Sequence, residues 1–228
     1  NHLSKSAELI KTLKSFETED ISKLMGLSSN LAFLNFERYQ SWKRPIKPSA
    51  DARQAVFAFQ GDVYQGLEAA TFKKGDLKFA QKHLRILSGL YGILKPLDLM
   101  APYRLEMGTK LSTKKHDDLY GFWKDTLTAD INTQLAEQKD STLINLASNE
   151  YFNALNKKDI AGDIVSPVFK DFKNGDYKII SFFAKKARGM MARYIIDNKV
   201  INPDGLATFN YGGYKFNAKL SQDNAPTF

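Results

Sequence analysis

Several polar and charged residues stand where they could act on an anionic ligand. Arg104 and Glu106 follow a glycine-rich stretch, and Ser148 and Glu150 follow the apolar run TLINLA, which contains Asn145. If these groups meet in one cleft, they supply both a general acid or base and anion-holding side chains. The candidate catalytic residues are Glu106, Glu150 and Ser148. An enzyme of this kind would have a pocket lined by Arg104, Glu106, Asn145, Glu150, Lys185 and Arg188.

A second candidate is the cationic segment AKKARGMMARYII, which starts at Ala184. On a helix starting there, Lys185 and Arg188 share one face and Met191 lies on the apolar one. Three cations in four residues at a helix N-terminus oppose the helix macrodipole, so this segment requires a negative partner. That partner is either an external phosphate or an internal carboxylate, from Glu106, Glu150 or Asp171.

The glycine-rich stretch, residues 84–108, contains Gly89 and Gly92 on either side of Leu90 and Tyr91. One interpretation is a helix-hairpin-helix over residues 87–95, whose outward N–H groups would hold phosphate without reading bases. Two features depart from that motif: two residues separate the glycines, and Pro96 stands where the second helix should begin. The alternative is a buried helix-to-strand turn, with residues 90–94 as a core strand.

The surrounding elements must position these groups. Helical spacing of apolar residues predicts three short helices between residues 4 and 39, and a long helix over residues 114–138. A helix capped by Asp76 is also expected. Strands are predicted at residues 56–59, 142–147 and 211–216, and an Asn-Gly hairpin joins runs 164–170 and 177–183. We therefore predict a mixed α/β (α+β) fold: a single domain over residues 1–228, with a mixed central sheet surrounded by helices.

The basic connector at residues 42–48, WKRPIKP, has two interpretations. Its cations and Trp42 could sit on a nucleic-acid backbone, or it could be an ordinary solvated linker. His83 lies beside the apolar stripe of its helix, and no second histidine or carboxylate stands at ligand spacing, which favours a partly buried histidine over a metal ligand.

Composition narrows the classes of function. The 228 residues carry a formal charge of +8 and a pI near 9.4, which favours phosphate polymers as partners and predicts salt-sensitive binding. No apolar run approaches the roughly 20 residues that a membrane span needs, so we expect a soluble protein and no membrane partner. There is no cysteine, which excludes disulfides and thiol peroxidase chemistry. No metal site or cofactor is expected. Direct iron binding is the weakest interpretation, because three isolated histidines and no cysteine leave only a carboxylate-rich oxygen site, and no Glu-x-x-His pair appears.

Four blocks of sequence carry a family resemblance. They are ARQAVFAFQGDVYQGL from Ala52, HLRILSGLYGILKPLDLMAPYRLEMG from His83, LINLASNEYF from Leu143 and IISFFAKKARGMMARYI from Ile179. Together, and in this order, they closely resemble the bacterial YaaA family of peroxide stress proteins over nearly the whole chain. Members of that family usually begin with an apolar strand and a Ser-Pro-Ala-Lys segment. Neither is present here, so we expect the natural N- and C-terminal ends to lie beyond this sequence.

The resemblance implies a cytoplasmic, mixed α/β protein that helps cells survive hydrogen peroxide by keeping unincorporated iron low. It also implies sequence-independent DNA binding through a hairpin element and a basic face. A small anionic molecule is the alternative partner, and the oligomeric state is left open. On this basis the nucleic-acid or anion contacts are Gly89, Leu90, Tyr91, Gly92, Lys95, Arg104, Lys185, Lys186, Arg188 and Arg193.

Overall fold

The computed structural model describes residues 2–45 and 47–228, in which helices alternate with very short strands. The helices are α1 (Leu3–Leu13), α2 (Thr18–Met25), α3 (Ser29–Ser41), α4 (Ala55–Ala58), α5 (Asp62–Leu67), α6 (Lys74–His83), α7 (Leu119–Ala136), α8 (Asn149–Phe152) and α9 (Ser181–Asp197). The strands are β1 (Arg53–Gln54), β2 (Ile86–Ser88), β3 (Gly92–Leu94), β4 (Leu99–Met100), β5 (Thr142–Ile144), β6 (Asp163–Val165), β7 (Asp171–Lys173) and β8 (Asp176–Lys178). The predicted mixed class of helices and strands is confirmed.

The strands of the described residues form four separate two-stranded sheets. Strands β1 and β4, β2 and β3, and β7 and β8 pair antiparallel, whereas β5 and β6 pair parallel. This differs from the predicted central sheet. Each strand has only two or three residues, so a ladder ends before a third strand joins it.

The described residues group into two compact units. The first unit takes its residues from 1–58, 85–129 and 149–158, and the second from 59–84, 130–148 and 159–228. The chain therefore passes several times from one unit to the other, and helix α7 has residues in both. The single-domain assignment stays a prediction, and each unit is described by itself below.

Helices α1, α2 and α3 open the first unit and confirm the three predicted helices. Ile10, Leu13 and Ile21 are buried, as their helical spacing predicts. Helical spacing predicts Leu31, Leu34 and Phe36 as the inner face of α3. This prediction is wrong, because Leu31 and Leu34 are exposed at 45% and 39% while a different set is buried. That buried set is Ala32, Asn35 and Tyr39.

Two further predictions for the first unit need correction. The apolar run at residues 56–59 is not a strand, because α4 occupies it; the Val56 N–H donates to the Pro96 carbonyl at 3.0 Å, and the chain then turns as a helix. In the predicted connector, Trp42 is buried and its indole N–H donates to the Tyr91 hydroxyl at 3.0 Å. Trp42 is thus a core residue and not a nucleic-acid contact. Residue 46 of that connector lies outside the described residues.

The glycine-rich corner forms a β-hairpin. Strands β2 and β3 pair in the register Ile86 with Leu94 and Ser88 with Gly92, so extended chain stands where a helix-hairpin-helix needs helix ends. The helix-hairpin-helix prediction is therefore wrong for residues 87–95. The alternative of a buried turn and core strand is closer, since β3 is buried along its whole length.

Helices α5 and α9 pack closely in the second unit because glycines face the contact. A β-carbon at Gly66 would lie 2.2 Å from the Lys186 carbonyl oxygen, and one at Gly189 would lie 1.9 Å from the Val63 carbonyl oxygen. No side chain fits at either position, so the helix backbones touch directly. Because α9 packs on α5 through Gly189, the orientation of α9 in this unit is set by that contact.

The core of the second unit is rich in aromatic rings. Phe169, Phe209 and Tyr194 pack there with apolar residues of α9, including Met191. Phe169 and Phe209 meet edge to face with their ring centres 6.1 Å apart. This cluster includes buried residues of α9, among them Ala184, Ala187, Met191 and Tyr194.

Two turns of the second unit bear on the predictions. Asn174 and Gly175 have positive φ values of 55° and 82° and join β7 to β8, which confirms a hairpin at the Asn-Gly step. The predicted arms at residues 164–170 and 177–183 are wrong, because the paired strands are the shorter β7 and β8 and α9 begins at Ser181. The predicted edge strand at residues 211–216 is wrong, because Tyr211–Gly213 forms a 3-10 turn in which Gly212 and Gly213 have positive φ.

The predicted long helix is confirmed as α7 (Leu119–Ala136). Its apolar spacing predicts a buried face of six residues, and all six are buried: Leu119, Phe122, Trp123, Leu127, Ile131 and Leu135. The strand predicted at residues 142–147 is present as β5 but ends at Ile144, and α8 begins directly after Ser148. Among the described residues, no helix combines the length and the apolar character that crossing a bilayer requires.

Candidate functional site

Arg104 and Glu106 form an ion pair in the first unit. An Arg104 guanidinium nitrogen lies 2.6 Å from a Glu106 carboxylate oxygen, and the two side chains are 46% and 55% exposed. The backbone beneath the pair is fixed, because the buried Tyr39 hydroxyl donates to the Arg104 carbonyl oxygen. Burial raises the pKa of Tyr39, so this hydroxyl keeps its proton and remains a donor.

Glu150, from a distant part of the chain, contacts the loop that follows this ion pair. Its Oε1 accepts a hydrogen bond from the Gly108 N–H at 2.9 Å. Burial raises the pKa of the neighbouring Tyr151 to about 12, with the charges of Glu150 and Glu106 adding to the effect. We call Arg104, Glu106, Glu150 and Tyr151 the polar cluster; it combines two carboxylates, one guanidinium and a neutral phenol.

The other residues of the proposed enzyme pocket lie in the second unit. Asn145 is occupied by structural hydrogen bonds: its Nδ2 donates to Ser166 Oγ at 3.2 Å, and its Oδ1 accepts from the Ala147 N–H at 3.1 Å. It is therefore a hydrogen-bonded structural amide. Ser148 is partly buried directly before α8. The structure thus brings together three of the six predicted pocket residues in one unit, namely Arg104, Glu106 and Glu150.

The first turns of α9 present cations. Lys185 and Lys186 are exposed, and the first turn of this helix contains no acidic residue. Arg188 is half-buried, its Nε donates to the Ala184 carbonyl at 3.3 Å, and burial lowers its pKa. In the part of the chain that the structure describes, none of the three forms an ion pair. We call Lys185, Lys186 and Arg188 the cationic helix face.

Arg193 lies on the same helix but is used internally. Its Nε contacts Asp197 Oδ2 at 2.8 Å, and its Nη1 donates to the Glu68 carbonyl at 3.1 Å and to the Thr71 hydroxyl. Its guanidinium also lies over the Phe72 ring, 4.9 Å from the ring centre. These contacts close the C-terminal end of α5, so the predicted phosphate contact by Arg193 is corrected to a structural role.

The three carboxylates considered as internal partners have contacts of their own. Glu106 pairs with Arg104, and Glu150 accepts from Gly108. Asp171 accepts the Tyr214 hydroxyl at 3.0 Å, and this raises the pKa of Tyr214 together with its burial, which is the larger cause. Each of these acids is thus held within its own unit.

The glycine-rich corner is enclosed. Gly89, Leu90, Tyr91 and Gly92 are buried, and the Tyr91 N–H donates to Ser88 Oγ at 2.9 Å. The Gly89 carbonyl accepts the indole N–H of Trp123 at 2.9 Å. The corner therefore supports the core rather than a phosphate contact. Of the residues predicted for this element, Lys95 is exposed, and its N–H donates to Asp98 Oδ2 at 2.9 Å.

Sequence reasoning missed a group of exposed aromatic and aliphatic side chains in the second unit. Their exposed fractions run from 47% to 67%, and they lie on β7, on β8, in the link after β8 and at the start of α9: Phe172, Tyr177, Ile179, Phe182 and Phe183. A signal was present, since aromatic residues and lysines stand close together on both sides of Asn174-Gly175. The β-pattern indicated burial instead, because such runs usually form core strands.

No metal centre emerges from residues 2–45 and 47–228, where no group of three or more His, Asp or Glu side chains is placed to hold an ion. The polar cluster and the cationic helix face are therefore the two candidate sites that the predicted residues form.

The fold and the site define a mixed helix and strand protein that carries an exposed cationic helix face. Comparison of the sequence with known protein families identifies the family to which the chain belongs. Residues 1–220 match the model of the family described as peroxide stress protein YaaA, and the chain belongs to that family. A relative described as "UPF0246 protein", from Teredinibacter turnerae, is 52% identical over 219 residues, which are 96% of this chain and 85% of the relative.

Proposed function

We propose that this peroxide stress protein binds DNA in the cytoplasm without sequence preference, through the cationic helix face. The observation that supports this most is the placement of Lys185 and Lys186: both are exposed in the second turn of α9, and the first turn contains no acidic residue that could balance them. The helix dipole adds positive potential at the same end, so the local field favours a negatively charged ligand.

Phosphate is the ligand that fits this field. Lysine side chains contact phosphates as flexible point charges and read no base, so they give affinity without sequence preference. Each neutralised phosphate releases counterions, so log affinity should fall linearly with log salt, by about 0.9 per contact.

The test is a binding titration on a duplex of mixed sequence between about 50 and 200 mM salt. Lys185→Glu/Lys186→Glu should weaken binding by about 10- to 100-fold, because two attractive contacts become repulsive. Lys11→Glu/Lys14→Glu is the matched control: it makes the same charge change at two exposed lysines at the end of α1. Equal losses in both variants, or affinity that does not depend on salt, would contradict the proposal.

We further propose that the protein limits unincorporated iron and so reduces oxidative damage during peroxide exposure. Membership of a peroxide stress family supports this part. The test compares a strain that lacks the gene with strains expressing wild type or Lys185→Glu/Lys186→Glu, with chelatable iron measured by electron paramagnetic resonance and DNA lesions counted after peroxide. Wild type should lower both quantities. Unchanged iron in its presence would refute the iron proposal and leave the DNA-binding one standing.

A second candidate function is catalysis at the polar cluster on a small anionic molecule. It is favoured by the Glu150 contact with Gly108, which brings a second carboxylate to the loop that carries the Arg104–Glu106 pair. A carboxylate would act as general base while Arg104 holds the anion. Turnover of phosphorylated nucleosides or labelled oligonucleotide ends should be lost in Glu150→Gln. It should be retained in the control Glu137→Gln, which changes an exposed glutamate of the second unit. Absence of turnover in the wild type would remove this candidate.

A further inference from the structure

A cavity of about 260 Å³ lies within the second unit, where the β7–β8 hairpin meets the C-terminal segment. Its lining includes two lysines, four aromatic rings and one amide: Lys170, Lys215, Tyr177, Tyr214, Phe216, Phe228 and Asn217. None of these residues belongs to the polar cluster or the cationic helix face. Pockets for drug-sized ligands usually enclose about 300–1,000 Å³, so this cavity suits a smaller molecule.

The charge at the cavity is positive. Lys170 is partly buried and Lys215 is exposed, and neither forms an ion pair among the residues that the structure describes. The acid next to Lys170 in the chain, Asp171, directs both carboxylate oxygens to the Tyr214 hydroxyl, at 3.0 Å each. Two lysines without acidic partners at one cavity favour an anionic group such as a phosphate.

Two rings of the lining are accessible and held in place. Tyr177 is 47% exposed and packs edge-on against Phe172, with the ring centres 5.3 Å apart. Phe216 is 40% exposed and packs edge-on against Phe228 at 5.9 Å. Each ring is supported at one side and open at another, as a stacking platform for a planar ligand requires.

Asn217 adds a polar group with a fixed direction. Its Oδ1 accepts hydrogen bonds from the backbone N–H groups of Lys219 and Leu220, at 3.1 and 3.3 Å. The amide is thereby oriented, and within the described chain its Nδ2 has no hydrogen-bond partner. An oriented amide donor beside a stacking ring can recognise acceptor atoms on the edge of a base.

We propose that this cavity binds a single nucleotide. The base stacks on Tyr177 or Phe216, the phosphate lies between Lys170 and Lys215, and the Asn217 amide donates to the edge of the base. The nucleotide could be free in solution or be an unpaired residue of a DNA strand, since both carry the same groups. This proposal does not depend on the cationic helix face.

Calorimetric titrations with deoxyadenosine monophosphate, inorganic phosphate and deoxyadenosine test the proposal. The nucleotide should bind more tightly than either fragment, because it uses both the rings and the lysines. Two duplexes, one fully paired and one with a single unpaired adenine, distinguish the two sources. Binding of the free nucleotide points to a soluble ligand, whereas a gain only for the unpaired adenine points to DNA. Equal binding of the two duplexes, with no binding of the nucleotide, would overturn the proposal.

Substitutions in the lining test whether the nucleotide binds in this cavity. Tyr177→Ala and Phe216→Ala remove one stacking ring each, and the variant of the ring that carries the base should bind about 5- to 100-fold more weakly. Tyr177→Phe keeps a ring and should bind as wild type does, which controls for damage to the hairpin. Lys215→Ala should weaken binding by about tenfold.

Matched controls lie outside the cavity. Lys219→Ala removes an exposed lysine four residues from Lys215, and Phe33→Ala removes an exposed ring in the first unit. Both should bind the nucleotide as wild type does. Losses as large in these controls as at the cavity would overturn the proposal. Retained salt-dependent duplex binding in Lys215→Ala would show that the DNA-binding function stands separately.

Discussion

The glycine-rich corner of the first unit and the cationic helix face of the second have the same predicted role but different environments. Gly89 and Gly92 are enclosed by backbone and by the Trp123 ring, whereas Lys185 and Lys186 are exposed. A glycine pair in a sequence has two explanations, an exposed amide turn or a close packing contact, and here packing accounts for it. A lysine pair near the start of a helix is seldom buried, because a buried charge needs an acidic partner. The comparison teaches that charge predicts a surface more securely than glycine does.

The sharpest test of this comparison is a β-carbon at the corner. In Gly89→Ala the new atom would lie 2.2 Å from the Leu105 carbonyl oxygen, so the backbone must move. We expect the free energy of unfolding to fall by about 3 kcal/mol or more, measured by urea denaturation. Gly75→Ala is the control: it meets nothing within 4 Å in α6, and its stability should be unchanged or rise by up to about 1 kcal/mol. A tolerated Gly89→Ala would reopen the exposed-turn interpretation.

Alkaline pH tests the buried tyrosine of the polar cluster. The folded state raises the pKa of Tyr151 from 10.0 to about 12, so it binds the phenolic proton more tightly than the unfolded chain does. The resulting stability is complete below pH 10 and is lost as the pH rises to 12. Between these limits wild type should lose about 2 kcal/mol more than Tyr151→Phe. Denaturation curves at several pH values measure this, and parallel losses would contradict the burial of Tyr151.

Arg193→Gln separates the structural arginine from the exposed cations of the same helix. The change removes the Asp197 ion pair and the hydrogen bonds to Glu68 and Thr71. Stability should fall by about 1–2 kcal/mol, whereas Lys186→Gln should change it by less than about 0.5 kcal/mol. Thermal melts followed by circular dichroism give both values. Equal losses of stability in the two variants would contradict the structural role of Arg193.

The smallest expected effect concerns salt. Lys186→Gln and Arg193→Gln each remove one positive charge, so they are matched in net charge. Lys186→Gln should lower the slope of log affinity for duplex DNA against log salt by about 0.9, whereas folded Arg193→Gln should keep the wild-type slope. Fluorescence anisotropy at several salt concentrations measures both. A reduced slope in the arginine variant would return Arg193 to the DNA-binding surface.

Most of the local structure was predictable because it depends on local pattern. The three N-terminal helices, the long helix and the Asn-Gly hairpin follow from spacing and turn chemistry, and the structure confirms them. The predictions fail where a contact with a distant part of the chain determines the local structure or the burial of a side chain. Residues 56–59 are apolar enough for a strand, but a hydrogen bond to Pro96 starts a helix there. Trp42 is buried by its contact with Tyr91, far along the chain, which no local rule predicts.

The candidate sites were predictable only in part. The position of Lys185 follows from helical periodicity, and its exposure agrees with it, whereas Arg188, predicted on the same face, is half-buried. The assignment of Arg193 fails because its partners, Glu68 and Thr71, lie on another element. The meeting of Glu150 with Gly108 and the cavity at Lys215 depend on how separate segments pack, so neither can be predicted from residue types alone.

Both tryptophans of the chain, Trp42 and Trp123, lie in the first unit, and both indole N–H groups donate hydrogen bonds inside it. The intrinsic emission of the protein when excited at long wavelength therefore reports on that unit alone. Urea melts followed by emission and by circular dichroism will coincide if the two units unfold together. They will separate if the second unit, which carries the cationic helix face and the cavity, unfolds on its own.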